Sequence, residues 1–123
     1  MKTLIFCTSF FDTEELYQKR YQKWIDYYNN HPFTNDKHIY LIDDCSDLEL
    51  ITDDTMHTIK EDQLCHLQKV NKINMYSFND RKGLNWSHNS ANNEGWWRSF
   101  IASLDIAEEY NYEKIIHIEF MGQ

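Results

Sequence analysis

Polar and acidic residues follow apolar runs at four separate places in this chain of 123 residues. The four groups are Thr8-Ser9-Phe10, Asp43-Asp44, Asn79-Asp80 and Glu119. If the apolar runs are parallel strands of one sheet, these groups lie at the carboxyl ends of the strands, where open α/β sheets bind their ligands. Carboxylates accept hydrogen bonds, and hydroxyl groups both donate and accept them, so these side chains are suited to a polar ligand. The pattern therefore predicts a ligand site at one edge of the sheet.

Four segments have the composition of strands. Residues 3–10, 38–42 and 114–119 are largely apolar or β-branched, as is typical of strands that are buried on both faces of a parallel sheet. Apolar residues within 73–78 indicate a further strand. We expect a mostly parallel sheet in which the first three of these segments are neighbours.

Two amphipathic helices are predicted between the strands. The first begins at a capping box of Asp12 and Glu15, and an aromatic stripe continues to the polar turn at residues 29–32. The second helix has an apolar stripe of Trp97, Phe100, Ile101, Leu104 and Ala107. Trp97 is therefore expected in the core, which leaves Trp96 as the functional candidate of the two.

The segment between the second and third predicted strands has no clear period. Over residues 48–70 we expect a loop and a short helix with a weak stripe of Leu64, Leu67 and Val70. The alternation of strands and helices predicts one domain over residues 1–123, with three layers, α/β/α, and a Rossmann-like sheet.

Charge and composition exclude several classes of partner. The formal net charge of -8 opposes binding to nucleic acid or to an anionic membrane surface. Three cysteines without CxxC spacing favour a reducing compartment, and the sequence has neither an apolar run of membrane-spanning length nor a signal-peptide pattern. We expect a cytoplasmic protein, with the alternative of one that is peripheral to the inner face of a membrane.

The end residues of three strands form a pattern known from one enzyme family. The first strand ends Thr8-Ser9-Phe10, the second ends in residues 43–47, Asp-Asp-Cys-Ser-Asp, and the last ends in Glu119. In this order, over residues 3–119, the chain resembles family 2-type glycosyltransferases of the GT-A fold. In that family the second strand typically ends Asp-Asp-Gly-Ser and the fourth ends in an Asp-x-Asp or Glu-x-Asp motif. The resemblance is to the amino-terminal, nucleotide-binding half of the domain, and it implies a fragment truncated at that acidic motif.

The resemblance implies a UDP-type nucleotide sugar as ligand. Carried over by position, Thr8 and Phe10 would flank the base, and Asp43 or Asp44 would accept a hydrogen bond from the uracil imide or the ribose. Arg98, together with Gly83, stands where the family often has an arginine and a glycine. That arginine would grip the diphosphate, because a guanidinium can bind phosphate oxygens in a bidentate manner.

The resemblance also implies a divalent metal ion and a glycan acceptor. Glu119 would be the first carboxylate ligand of Mn²⁺ or Mg²⁺, while Phe120-Met121 stand where a second acid is expected. Metal binding is therefore expected to be weak or absent, and no residue of the chain corresponds to a catalytic base. Catalytic residues stay unassigned, and we expect little or no turnover unless the full catalytic domain is present.

A non-enzymatic function remains an alternative. Asp43-Asp44 is also compatible with an ordinary turn after a strand, and Glu119 with an exposed acid at a strand end. Aromatic residues make up 15% of the chain, more than a small core requires, so some of them are expected to face a ligand or a partner. The second hypothesis is therefore an α/β interaction module that forms a homo-oligomer or binds another protein.

Overall fold

The fold is a single sheet covered by helices on both faces. The structure, a computed structural model, describes residues 2–66, 71–83 and 94–119. The strands are β1 (Thr3–Ser9), β2 (Lys37–Asp43), β3 (His57–Lys60), β4 (Ile73–Ser77) and β5 (Lys114–His117). Their order is β3-β4-β2-β1-β5, and every pair of neighbours is parallel. The predicted α/β class is confirmed, as is the prediction that the first, second and last strands are neighbours.

β1 lies between β2 and β5, and part of the predicted site is at its carboxyl end. All of its seven residues are buried. Thr3 lies opposite Lys37 of β2 and Lys114 of β5, and at the other end of the strand Ser9 lies opposite Asp43. A strand that is paired on both edges and covered on both faces consists mainly of apolar and β-branched residues, which explains this run, and the hydroxyls of Thr8 and Ser9 are hydrogen-bonded within the protein.

One face of the sheet is covered by the helical segment between β1 and β2. It consists of α1 (Glu14–Leu16), a π-helical stretch (Tyr17–Gln22) and α2 (Lys23–Asn29). The aromatic stripe of this segment packs against Ile5, Cys7 and Leu41 of β1 and β2, as predicted. The predicted capping box of Asp12 and Glu15 does not form, because the helix begins one residue later: the hydroxyl of Thr13 is the N-cap and accepts a hydrogen bond from the backbone N of Leu16 at 3.1 Å.

The other face is covered by α3 (Glu94–Tyr110), and its orientation differs from the prediction. The helix buries Gly95, Ser99, Ala102, Ser103, Ile106, Ala107 and Tyr110. Trp97, Ile101 and Leu104 are 60%, 62% and 62% exposed, so the placement of Trp97 in the core was wrong. The reason is that the sheet supplies large side chains to this core, including Phe6 and Tyr40, and small residues on the helix are needed to pack against them.

The segment over residues 48–70 was predicted incompletely. β3 was not recognised, since only Ile59 of its four residues is buried and no alternation is visible in so short a strand. A 3₁₀-helix (Glu61–His66) follows β3. Residues 67–70, which include Leu67 and Val70 of the predicted stripe, and the side chain of Leu64 lie outside the described part of the chain.

The strand order reverses next to β1. After β1 the chain forms β2, β3 and β4, which all lie on one side of β1. It then continues through α3 to β5, which lies on the other side of β1. In open parallel sheets such a reversal opens a crevice at the carboxyl ends of the strands on either side of it. The crevice predicted by this rule lies between the ends of β1 and β5. Among the described residues, no helix has the length and apolar character that crossing a membrane requires.

Candidate functional site at the carboxyl ends of the strands

Asp43 ends β2 and is fully buried. Its Oδ1 accepts hydrogen bonds from the hydroxyls of Ser9 (2.7 Å) and Ser46 (2.8 Å), and its Oδ2 accepts one from the backbone N of Ser46 (2.6 Å). Burial raises the pKa of Asp43 to about 6, although these hydrogen bonds act in the opposite direction. The Ser46 hydroxyl in turn accepts a bond from the backbone N of Phe11 at 2.9 Å. Asp43 thus ties the turn after β2 to the end of β1.

The turn that contains this network is tight. Cys45 has a φ of 66°, a left-handed conformation that glycine adopts without steric cost. The sequence motif that this segment resembles has glycine at the same position. Cys45 therefore adopts a backbone conformation that is more favourable for glycine.

Asp44 is also buried, and it anchors the loop that follows β4. Its carboxylate accepts hydrogen bonds from the backbone N of Lys82 (3.0 Å) and of Gly83 (2.7 Å). The guanidinium of Arg98 donates a third, from Nη2 to Oδ1 at 2.9 Å. All three donors are far from Asp44 in sequence, so this carboxylate joins β2, the loop after β4 and α3.

The beginning of α3 leaves no space beside Asp44. A Cβ atom at Gly95 would lie 2.6 Å from Cγ and 2.8 Å from Oδ2 of Asp44, distances that real structures do not tolerate. The backbone N of Gly95 donates to the backbone O of Gly83 at 2.9 Å. Glycine at position 95 therefore allows the helix to begin directly against the buried carboxylate.

Arg98 is held by several groups at once. Besides Asp44, its guanidinium binds Oδ1 of Asp80 at 2.9 Å and the backbone O of Asp80, and it lies 3.8 Å from the ring centroid of Phe78. The hydrogen bond from Arg98, followed by that from Lys82, lowers the pKa of Asp80. The side chain of Arg98 is only 19% exposed. Its main visible role is to fix the loop after β4 against α3.

Thr8 faces α3 rather than the solvent. Its hydroxyl lies 2.6 Å from Oγ of Ser99, and Ser99 donates to the backbone O of Trp96 at 2.6 Å. Because the Ser99 hydroxyl has one proton, the consistent arrangement has Thr8 donating to Ser99. Thr8 therefore positions the first turns of α3 over the end of β1.

Phe10 is half-buried and comes directly after β1. The guanidinium carbon of Arg81 lies 4.0 Å from the centroid of its ring. The backbone N of Phe10 donates to the hydroxyl of Tyr21 at 3.2 Å, and burial raises the pKa of Tyr21 to about 12, which keeps this hydroxyl protonated near neutral pH. The aromatic ring at the end of β1 is thus fixed at its backbone and covered on one face by a cation.

Glu119 lies on the other side of the predicted crevice, just beyond β5. Its Oε2 is 2.8 Å from Nε2 of His117 and accepts a hydrogen bond from Nε1 of Trp96 at 3.3 Å. The His117 ring packs against Phe6 and Phe100, with centroid distances of 4.8 Å and 4.5 Å. This carboxylate is 23% exposed, so one side of the group remains accessible.

The described residues around Glu119 offer few ligands for the metal ion that the resemblance implies. Within residues 2–66, 71–83 and 94–119, no group of three or more His, Cys, Asp or Glu side chains is arranged to hold an ion. Mg²⁺ and Mn²⁺ prefer several oxygen ligands, and Glu119 beside His117 offers one carboxylate and one imidazole. Phe120 and Met121 lie outside the described residues. The metal-binding role of Glu119 stays a prediction.

The predicted site residues do lie at one edge of the sheet. Thr8, Phe10, Asp43, Asp44 and Arg98 are arranged around the ends of β1 and β2 and the beginning of α3. Their roles in nucleotide binding stay predictions. Of the five, Phe10 offers a half-exposed ring, whereas the hydroxyl of Thr8 and the two carboxylates are engaged inside the protein.

Sequence reasoning did not single out Arg81. The signal that could have found it is the run Asn79-Asp80-Arg81-Lys82-Gly83, which places two cations in the loop after β4. Because β4 and β1 both flank β2, a loop that is anchored on Asp44 at the end of β2 can reach Phe10 at the end of β1.

Comparisons with models of protein families, with curated proteins and with solved structures found no match to this chain. The class of protein that its structure defines is an α/β protein with a parallel, Rossmann-like sheet.

Proposed function

We propose that this protein binds a UDP-type nucleotide sugar at the carboxyl ends of its strands, as a glycosyltransferase-like domain that acts on a glycan acceptor. The observation that carries the proposal is the half-exposed Phe10 ring with the Arg81 guanidinium over it, next to the point where the strand order reverses. A planar ring can stack on a base, and a guanidinium beside it can bind a phosphate. This pair of groups complements a nucleotide better than it complements an uncharged sugar.

The buried residues of the site act in this proposal mainly as its frame. Asp43 and Asp44 each accept three hydrogen bonds from within the chain, and an ionised carboxylate has about four acceptor positions. Because both side chains are buried, we expect them to hold the loops around the ligand rather than to contact it. Arg98 holds the loop that carries Arg81, and Thr8 holds α3. We expect turnover to be low or absent, because Glu119 and His117 make a poor divalent-metal site.

A titration with UDP in the presence of Mg²⁺, followed by NMR, tests the proposal. We expect shifts at residues 8–10, 43–47 and 81–83, with a dissociation constant near 1 mM, which corresponds to about −4 kcal/mol. Replacing Phe10 by leucine removes the stacking face and should weaken binding by about tenfold, as the typical strength of base–aromatic stacking suggests.

The matched control is Phe33→Leu. Phe33 is an exposed aromatic ring with a cation over it, Nζ of Lys37 at 4.3 Å, but it precedes β2 and so lies at the opposite edge of the sheet. Its replacement should leave UDP binding unchanged. If native protein shows no shifts at millimolar UDP, the nucleotide-binding proposal is wrong.

A second candidate function is that of an interaction module, and the exposed face of α3 favours it. Trp97, Ile101 and Leu104 recur at helical spacing, and all three are about 60% exposed. Trp97 also contacts Trp96 and Phe100, which themselves lie against His117 of β5. The apolar surface therefore continues from the helix towards β5, and contiguous apolar patches of this kind mark interaction sites.

Self-association through this face would appear in light scattering at micromolar concentration. We expect a dimer or larger species for the native chain and a monomer for Trp97→Ser combined with Leu104→Ser, because the two changes remove much of the exposed apolar surface. Tyr27→Ser is the control, since Tyr27 is 61% exposed and lies on α2, on the other face of the sheet. A native chain that is monomeric throughout this range would count against self-association.

A further inference from the structure

Three cations lie in or beside the loop after β4, and their partners differ. Nζ of Lys82 pairs with Oδ2 of Asp80 at 3.2 Å, and Arg98 pairs with Asp44 and Asp80. Arg81 is exposed, and within the described part of the chain it forms no ion pair with a carboxylate. Among the described residues, no carboxylate therefore occupies this guanidinium, and its N–H donors are available to solvent or to an anionic ligand.

The backbone on both sides of Arg81 is fixed. The carbonyl of Asp80 is bound by Arg98, and the backbone N of Lys82 donates to the buried carboxylate of Asp44. Further back, the backbone N of Asn79 donates to Oε1 of Glu61 at 2.7 Å. The side chain of Arg81 therefore extends from a rigid base, and its exposed guanidinium can change position while the loop does not.

The resting contact of Arg81 is with the Phe10 ring, at 4.0 Å. An exposed cation–π contact is weak, and one face of a ring takes one stacking partner at a time. A base that stacks on the face covered by Arg81 must displace the guanidinium. Once displaced, the guanidinium remains tethered beside the base, within reach of phosphates carried by the ribose of the same nucleotide.

We propose that Arg81 is the phosphate-binding residue of this site, and that the base of the nucleotide takes its place on Phe10. The inference rests on the proposed function and adds to it the residue that recognises the charged part of the ligand. The planar guanidinium can bind two phosphate oxygens at once, which the point charge of a lysine cannot do. Arg98, for which the family resemblance implied this role, is already held by Asp44 and Asp80.

Titrations with UDP and with uridine separate phosphate recognition from base recognition. Arg81→Gln should weaken UDP binding by about tenfold, the loss typical of a charged hydrogen bond, while uridine binding stays unchanged or becomes tighter because the ring is uncovered. Arg81→Lys should recover only part of the UDP affinity. Lys37→Gln, which removes a cation from the aromatic ring at the opposite edge of the sheet, should have no effect.

The side chain of Arg81 gives a second readout. Its Nε–H proton should be shielded by the Phe10 ring in native protein, and addition of UDP should reverse this shielding. Equal affinity of native protein and Arg81→Gln for UDP, or an equal loss for UDP and uridine, would overturn the phosphate-binding role while nucleotide binding stands. Failure of native protein to bind either compound would overturn both proposals.

Discussion

Replacing Asp44 by alanine is expected to lower the free energy of unfolding by about 2 to 5 kcal/mol, since each polar group that loses its buried acceptor costs about 1 to 3 kcal/mol, while Arg98 keeps its second partner, Asp80. The change removes the acceptor of two backbone N–H groups, those of Lys82 and Gly83, and of the Arg98 guanidinium. Equilibrium urea unfolding followed by tryptophan fluorescence would measure the loss. A decrease below about 1 kcal/mol, which is typical of a surface pair, would contradict the anchoring role.

A double-mutant cycle with Gly95 makes the test specific. Gly95→Ala alone should destabilise the protein by about 1 to 3 kcal/mol through overpacking against Asp44, although alanine is the better helix former by about 1 kcal/mol. In the Asp44→Ala background the same change should be neutral or stabilising, because the carboxylate that it would contact is gone. Additive effects of the two changes would show that the close approach of Gly95 to Asp44 is not the cause.

The stability of the protein is expected to depend on the protonation of Asp43. Its pKa is about 6 in the folded protein and about 3.9 in an unfolded chain, so between these values the native state binds a proton that the unfolded state has released. The contribution of Asp43 to stability therefore decreases as the pH rises through this window, by roughly 3 kcal/mol in total. Below about pH 3 the contribution no longer changes, since the carboxyl group is then protonated in both states.

Asp43→Asn isolates this effect from that of the other carboxylates. The amide can keep the network, with its oxygen accepting from the backbone N of Ser46 and its NH₂ group donating to the hydroxyls of Ser9 and Ser46. The unfolding free energy of native protein, minus that of the variant, should fall between pH 4 and pH 7. A difference that is constant over this range, measured by urea unfolding at each pH, would show that Asp43 does not titrate in this window.

Four of the five strands, and the edge of the sheet where the candidate site residues gather, could be predicted from the sequence. Strands buried on both faces require continuous apolar runs, and polar groups that follow such runs must lie at the carboxyl edge if the strands are parallel. This reasoning located the ends of β1, β2, β4 and β5 without any knowledge of their partners. It failed for β3, where one buried residue in four gives no pattern.

Whether a side chain at that edge is hydrogen-bonded within the protein or accessible to a ligand depends on partners that are distant in sequence. The oxygens of Asp44 are bonded to residues 38, 39 and 54 positions away, and the ring of Phe10 meets Arg81 from a loop beyond β4. The orientation of α3 was likewise set by the sheet, whose large side chains require small ones on the helix and leave Trp97 outside. The pattern of apolar and polar residues along the chain indicates which residues can be buried, because this depends on the chemistry of each side chain. Only the tertiary structure decides which polar groups are satisfied internally and which remain for a ligand, because this depends on the donors and rings that other segments bring to them.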